Sequence, residues 1–190
     1  MFLTDWIAIG ILALALGAQL MRRSPLPRFL NRILLASGII ILGILIYWTV
    51  LQYNAWKSSM LTAFFLPPYQ GIGYFYSTVG YNIFSPWLLS ALASVVIVRL
   101  AWFGNRKFGE RFMETEEFGL MRLGIFLNGY PGFLFYILFV LAAAILISAF
   151  YSLTSLGRAP LYYLWIPLAI VSILVKNLII PKEALMPFAF

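Results

Sequence analysis

Few residues in this chain can do acid–base chemistry. Its 190 residues include six acids (Asp5, Glu110, Glu114, Glu116, Glu117 and Glu183) and no histidine or cysteine. That removes imidazole bases, thiol nucleophiles, disulfides and Cys or His zinc sites, so proton transfer would fall to carboxylates, tyrosines or lysines. Four of the acids crowd between Glu110 and Glu117. The pairs Glu110/Glu114 and Glu114/Glu117 have helical spacing, which brings like charges together unless cations intervene. Arg106, Lys107, Arg111 and Arg122 lie nearby to do so. Hard cations favour carboxylates, but this spacing matches no known cation loop, and no metal site is expected. Glu114 and Glu117 are candidate binding residues, and Glu116 is the candidate catalytic carboxylate. Arg99 is a charge inside an apolar stretch, which marks a candidate binding residue. Its place beside Trp102 near the end of that stretch also lets it reach headgroups.

These residues are set in an unusual background. Hydrophobic residues make up 63% of the chain and charged residues 10%, with a net charge of +7. A soluble domain carries roughly 25% charged residues. The composition therefore excludes a soluble monomer and predicts an all-α, polytopic integral membrane helix bundle, a single transmembrane domain over residues 1–190. The positive charge reads as loops facing an anionic leaflet, so the expected partner is a lipid bilayer and not nucleic acid. No P-loop or other cofactor motif occurs, and no cofactor is expected.

Five transmembrane segments are predicted, at Phe2–Met21, Ile33–Tyr53, Pro86–Gly104, Pro131–Leu153 and Pro160–Ile180. Each has about the 20 residues that a bilayer core of about 30 Å requires. Ser85-Pro86 and Gly129-Tyr130-Pro131 read as helix starts, and Pro167 as a kink inside the last segment. Arg22, Arg23, Arg28 and Arg32 fill the first loop and Arg106, Lys107, Arg111 and Arg122 the third. The second and fourth loops hold only Lys57 and Arg158, and the C-terminal end carries Lys176 and Lys182. The positive-inside rule then places the N-terminus outside and the C-terminus in the cytoplasm. Asp5 falls at the outer interface. Gly10 and Gly17, Ser90 and Ser94, and Ala142-Ala143-Ala144 read as close-packing faces.

The outer connection, Gln52–Ser85, is crowded with aromatics and broken by Pro67-Pro68 and Gly71-Ile72-Gly73. It reads as an interfacial belt or as a docking platform for another membrane subunit. Within it, Ser77-Thr78-Val79-Gly80-Tyr81-Asn82 resembles the TVGYG filter of potassium channels, with Asn82 in place of the last glycine. That resemblance implies a cation channel in which Thr78, Gly80 and Tyr81 would contribute to ion binding.

The inner connection, Asn105–Gly129, reads as a solvated amphipathic helix, with a half-inserted helix at Phe118–Asn128. From Glu116 onward the chain resembles the C-terminal part of type IV prepilin peptidases, intramembrane aspartyl proteases with a GxGD motif. Gly124-Ile125-Phe126-Leu127, the break Gly129-Tyr130-Pro131-Gly132 and the run from Phe133 to Ser148 carry the resemblance. Glu116 stands near the place of the motif's aspartate, while Met113-Glu114-Thr115 replaces its glycines. The family's chemistry needs two carboxylates sharing a proton, and Tyr47–Lys57, the nearest analogue of the family's first-aspartate region, holds no acid, so the resemblance implies a non-catalytic relative. The expected function is a non-catalytic accessory or scaffold subunit of a membrane complex, with a membrane-protein partner or a second copy of itself. The alternatives are a degenerate prepilin-peptidase-like protein and a cation channel.

Overall fold

A computed structural model of the chain describes residues 3–21, 26–109, 113–154 and 161–180. Among these residues the fold is all-α. The helices are α1 (Leu3–Met21), α2 (Leu26–Ser58), α3 (Ile72–Val79), α4 (Ser85–Lys107), α5 (Thr115–Asn128), α6 (Gly132–Thr154) and α7 (Trp165–Ile179). A π-helical turn, Gly80–Phe84, joins α3 to α4. Counting α3 through α4 as one, five helices are long and apolar enough to cross a membrane.

The sixth helix, α5, organises the rest. It has 14 residues, about 21 Å at 1.5 Å per residue. It packs against α1, α2, α4, α6 and α7, and Leu120, Leu123, Gly124, Ile125, Leu127 and Asn128 are buried along it. Its direction follows from contacts at its two ends. At the start, the Asn105 amide near the end of α4 brackets Met113, donating to its carbonyl at 2.8 Å and accepting from its N–H at 3.0 Å. At the other end, Ser90 near the start of α4 donates to the Phe126 carbonyl, and the Tyr130 N–H donates to the Pro86 carbonyl. Helix α5 thus runs antiparallel to α4 from one end of the bundle to the other.

This corrects the expected topology. The inner connection is not a solvated helix, because Thr115–Asn128 is the buried centre of the bundle. With α5 as a further crossing, the start of α1 and the end of α7 meet at one end, where Lys176 donates to Asp5. The error came from length: α5 is too short and too charged at its start to read as a span. It is flanked by non-helical residues and draws its burial from neighbours. Arg22, Arg23, Glu110, Arg111, Arg158, Lys182 and Glu183 lie outside the described residues.

Three smaller points follow. Ser85-Pro86 begins α4, as its residue types implied, with the proline in the first turn, but the chain before it is helical as well. Its proline has no N–H to continue the ladder, and the π turn immediately before it absorbs the gap, with the Ser85 hydroxyl donating to the Tyr81 carbonyl. Pro167 is not an interior kink, because α7 starts at Trp165 and proline is tolerated in a first turn. Gly10 and Gly17 face open space. The tight glycines are Gly119, Gly124 and Gly132. A Cβ at Gly124 would stand 2.6 Å from the Tyr136 ring and hydroxyl. Gly129, at φ +60°, ends α5 in a backbone conformation that favours glycine.

Candidate functional site

Ser37 and Ser94 are buried against carbonyls of their own helices, but the other buried polar groups gather in two clusters, one at each end of α5. At the end shared by the start of α1 and the end of α7, the Lys176 Nζ donates to the Asp5 carboxylate at 2.7 Å. The side chains are 8% and 3% exposed. Lys176 Nζ also lies 3.4 Å from the Asn128 carbonyl. An isolated charge in this setting would carry a large desolvation penalty, so the pair survives burial because each charge answers the other. The Asn128 amide donates to the Gly124 carbonyl at 2.8 Å and the Ala169 carbonyl at 3.2 Å. Its oxygen accepts from Ser172. Gly132 makes room for this arrangement: a Cβ there would stand 2.9 Å from Lys176 Cδ. Thr4, Trp48, Asn82, Trp87 and Tyr130 join Asp5 and Lys176 around a cleft of about 60 Å³, room for a few waters.

The second cluster lies at the start of α5. Glu114 caps the helix and forms a reciprocal capping box with Glu117. The Glu114 N–H donates to Glu117 Oε2 at 2.7 Å. Glu117 is buried and accepts from Trp165 Nε1 at 3.1 Å. Glu116 accepts from the Tyr162 hydroxyl at 3.3 Å, and the Gln19 amide donates to the Tyr162 carbonyl. Negative charge at a helix N-terminus is favoured by the macrodipole. Among the described residues, no three His, Cys, Asp or Glu side chains come together to hold a metal ion.

The predicted site residues are therefore scattered. Glu114, Glu116 and Glu117 do assemble, but Glu114 and Glu117 serve as a helix cap. Arg99 is exposed on the flank of α4. Thr78 and Val79 close α3, and Gly80, Tyr81 and Asn82 form the π turn. Thr78 donates to the Tyr74 carbonyl, and Tyr81 is 77% exposed. The segment is helical, not extended, so its carbonyls point along the helix axis and do not line an ion path. The reason is local: the aromatics of 72–84 pack against α2, with Phe75 edge-on to Tyr53 and Trp56.

Sequence reasoning placed Asp5 at an interface and Lys176 among cytoplasmic charges. The structure buries both and joins them. The signal that pointed to them was present: each is a lone charge in an otherwise apolar helix, and such charges pair. Ser90 and Ser94 are buried on the α5 side of α4, as their spacing implied. No protein-family model, curated protein or solved structure matches this chain.

Proposed function

We propose that the chain is a non-catalytic multi-pass membrane protein, an accessory or scaffold subunit that docks a membrane partner. The observation that carries this reading is the separation of the buried carboxylates. Asp5 and Glu117 sit at opposite ends of α5, the first in an ion pair and the second in a helix cap. Acid catalysis by a dyad needs two carboxylates at one water, and this arrangement commits them to architecture instead. The aromatic connection supports docking. Trp56 and Phe75 are buried within it, while Phe64, Tyr69, Tyr76 and Tyr81 turn outward. Aromatic side chains of this kind anchor interfaces.

Orientation follows the charges. Arg28, Arg32, Arg106 and Lys107 lie at the bundle end that also holds the start of α5, while Lys57 lies at the other. The positive-inside rule puts the basic end in the cytoplasm. The start of α1 and the end of α7 are then both on the outer face. Extraction from the native membrane in mild detergent, followed by mass measurement, tests the role. A second polypeptide at fixed stoichiometry, lost when Tyr69, Tyr76 and Tyr81 are changed to Ser, is expected. A monomer alone would contradict it.

One observation favours a second reading, a prepilin-peptidase-like protein. Glu116, unlike Glu117, faces an open cleft shared with Glu114, with the Tyr162 hydroxyl beside it. Cleavage of a pilin-like precursor that is lost in Glu116→Gln would replace the scaffold reading with this one.

A further inference from the structure

One cation lies midway along α5. Arg122 is the eighth of the helix's 14 residues. Gly119, Arg122 and Phe126 are spaced three and four apart, so they share a face of the helix. A Cβ at Gly119 would meet Leu30 of α2 at 3.1 Å, and the Phe126 ring packs edge-on against Trp87 of α4. Arg122 therefore faces the seam between α2 and α4, two helices that scarcely meet. It is half-buried. Among the described residues, its Nε is buried with no hydrogen-bond partner, and no carboxylate comes within ion-pair distance of it.

Depth decides what can answer this charge. Along the antiparallel pair of α4 and α5, Ser90 meets Phe126 and Asn105 meets Met113. Arg122 is four residues from the first contact and nine from the second, which sets it level with residues 94–96 of α4. That is the middle of α4 as well as of α5. A bilayer core of about 30 Å leaves about 15 Å from there to either headgroup layer, more than an arginine stem covers by snorkelling. A lipid phosphate reaches it only if the bilayer deforms. The described acids of the chain itself stand near the ends of α5: Asp5 in its ion pair, and Glu114, Glu116 and Glu117 around the cap. Among the described residues, a second copy thus has no mid-span carboxylate to give. We propose, resting on the docking reading above, that Arg122 pairs with an Asp or Glu carboxylate in a transmembrane helix of a different polypeptide, seated along the seam between α2 and α4. Ionisable groups inside a membrane pair with one another, and the planar guanidinium matches a carboxylate with two parallel hydrogen bonds.

The test puts a photoreactive phenylalanine in place of Val95, which is exposed on α4 at this level, and irradiates the full chain in its native membrane. Adducts are mapped by peptide mass spectrometry. An adduct with an apolar span of a different polypeptide, carrying an Asp or Glu, is expected. Arg122→Met should lower recovery of that polypeptide in mild detergent by roughly thirtyfold or more. Arg122→Lys, which keeps the charge, should retain most of it. Changing the partner's acid to its amide should give the same loss as Arg122→Met. In the isolated chain, Arg122→Met should raise the unfolding midpoint, because it removes a charge that the chain leaves unanswered. A lower midpoint would make Arg122 a structural residue and overturn the proposal. Adducts with phospholipid alone, with a second copy, or with a span that holds no acid would overturn it too. A polypeptide recovered equally with wild type and Arg122→Met would overturn this pairing and leave the scaffold reading standing. Recovery of no second polypeptide would remove both.

Discussion

Asp5 and Lys176 lie 171 positions apart in sequence, yet Nζ and Oδ1 are 2.7 Å apart in the fold. The pair ties the first helix to the last, and both charges are buried. Removing one partner strands the other, which typically costs about 3–5 kcal/mol, whereas replacing both with apolar groups is often near neutral. Lys176→Met is therefore expected to lower stability by about that amount in a detergent unfolding titration. Asp5→Leu combined with Lys176→Met should recover most of the loss. A double variant as unstable as the single one would show that the pair is not the interaction being measured.

Gly124 and Tyr136 give a steric prediction. A Cβ at position 124 would stand 2.6 Å from the Tyr136 hydroxyl, and overpacking of this kind typically costs about 1–3 kcal/mol. Gly124→Ala should be destabilised by that amount, and Tyr136→Leu in the same chain should relieve it. Among the described residues, the Tyr136 hydroxyl is itself buried without a hydrogen-bond partner. Tyr136→Phe alone should thus be neutral or stabilising, since it removes an unsatisfied group. A loss of more than about 1 kcal/mol in Tyr136→Phe would mean that the hydroxyl has a partner in the membrane.

Glu117 serves two donors, the Glu114 N–H and Trp165 Nε1. Glu117→Gln keeps one acceptor oxygen, while Glu117→Leu leaves both donors without one, the buried Trp165 N–H among them. The leucine variant should lose about 1–3 kcal/mol more than the glutamine variant. Trp165 emission should also shift when its N–H loses the carboxylate. Equal stability of the two variants would remove the capping role assigned to Glu117.

The amino-acid pattern showed the five long apolar helices because hydropathy over about 20 residues reports them directly. It also showed that Ser90 and Ser94 face inward, since helical spacing puts them on one side. It did not show α5 as a crossing. Its 14 residues carry Glu116 and Glu117 in the first turn, and their charge is absorbed by the helix N-terminus and by Trp165, a contact made 48 positions away. Nor did it show the partnership of Asp5 with Lys176, because long-range pairing depends on how the helices are threaded. Nor did it show that the filter-like run Thr78–Asn82 is helical. Phe75 of that helix packs against Tyr53 and Trp56 of α2, which four matching residue types cannot report.

The central claim is that α5 crosses the bundle, so that the start of α1 and the end of α7 share a face. The chain has no cysteine, so single substitutions give clean probes. Leu3→Cys and Ile179→Cys, both at exposed positions, would be treated with a membrane-impermeant maleimide in intact cells and again after permeabilisation. The account predicts that both are labelled from the outside with equal access. Labelling of Leu3→Cys from outside, with Ile179→Cys reached only after permeabilisation, would contradict it.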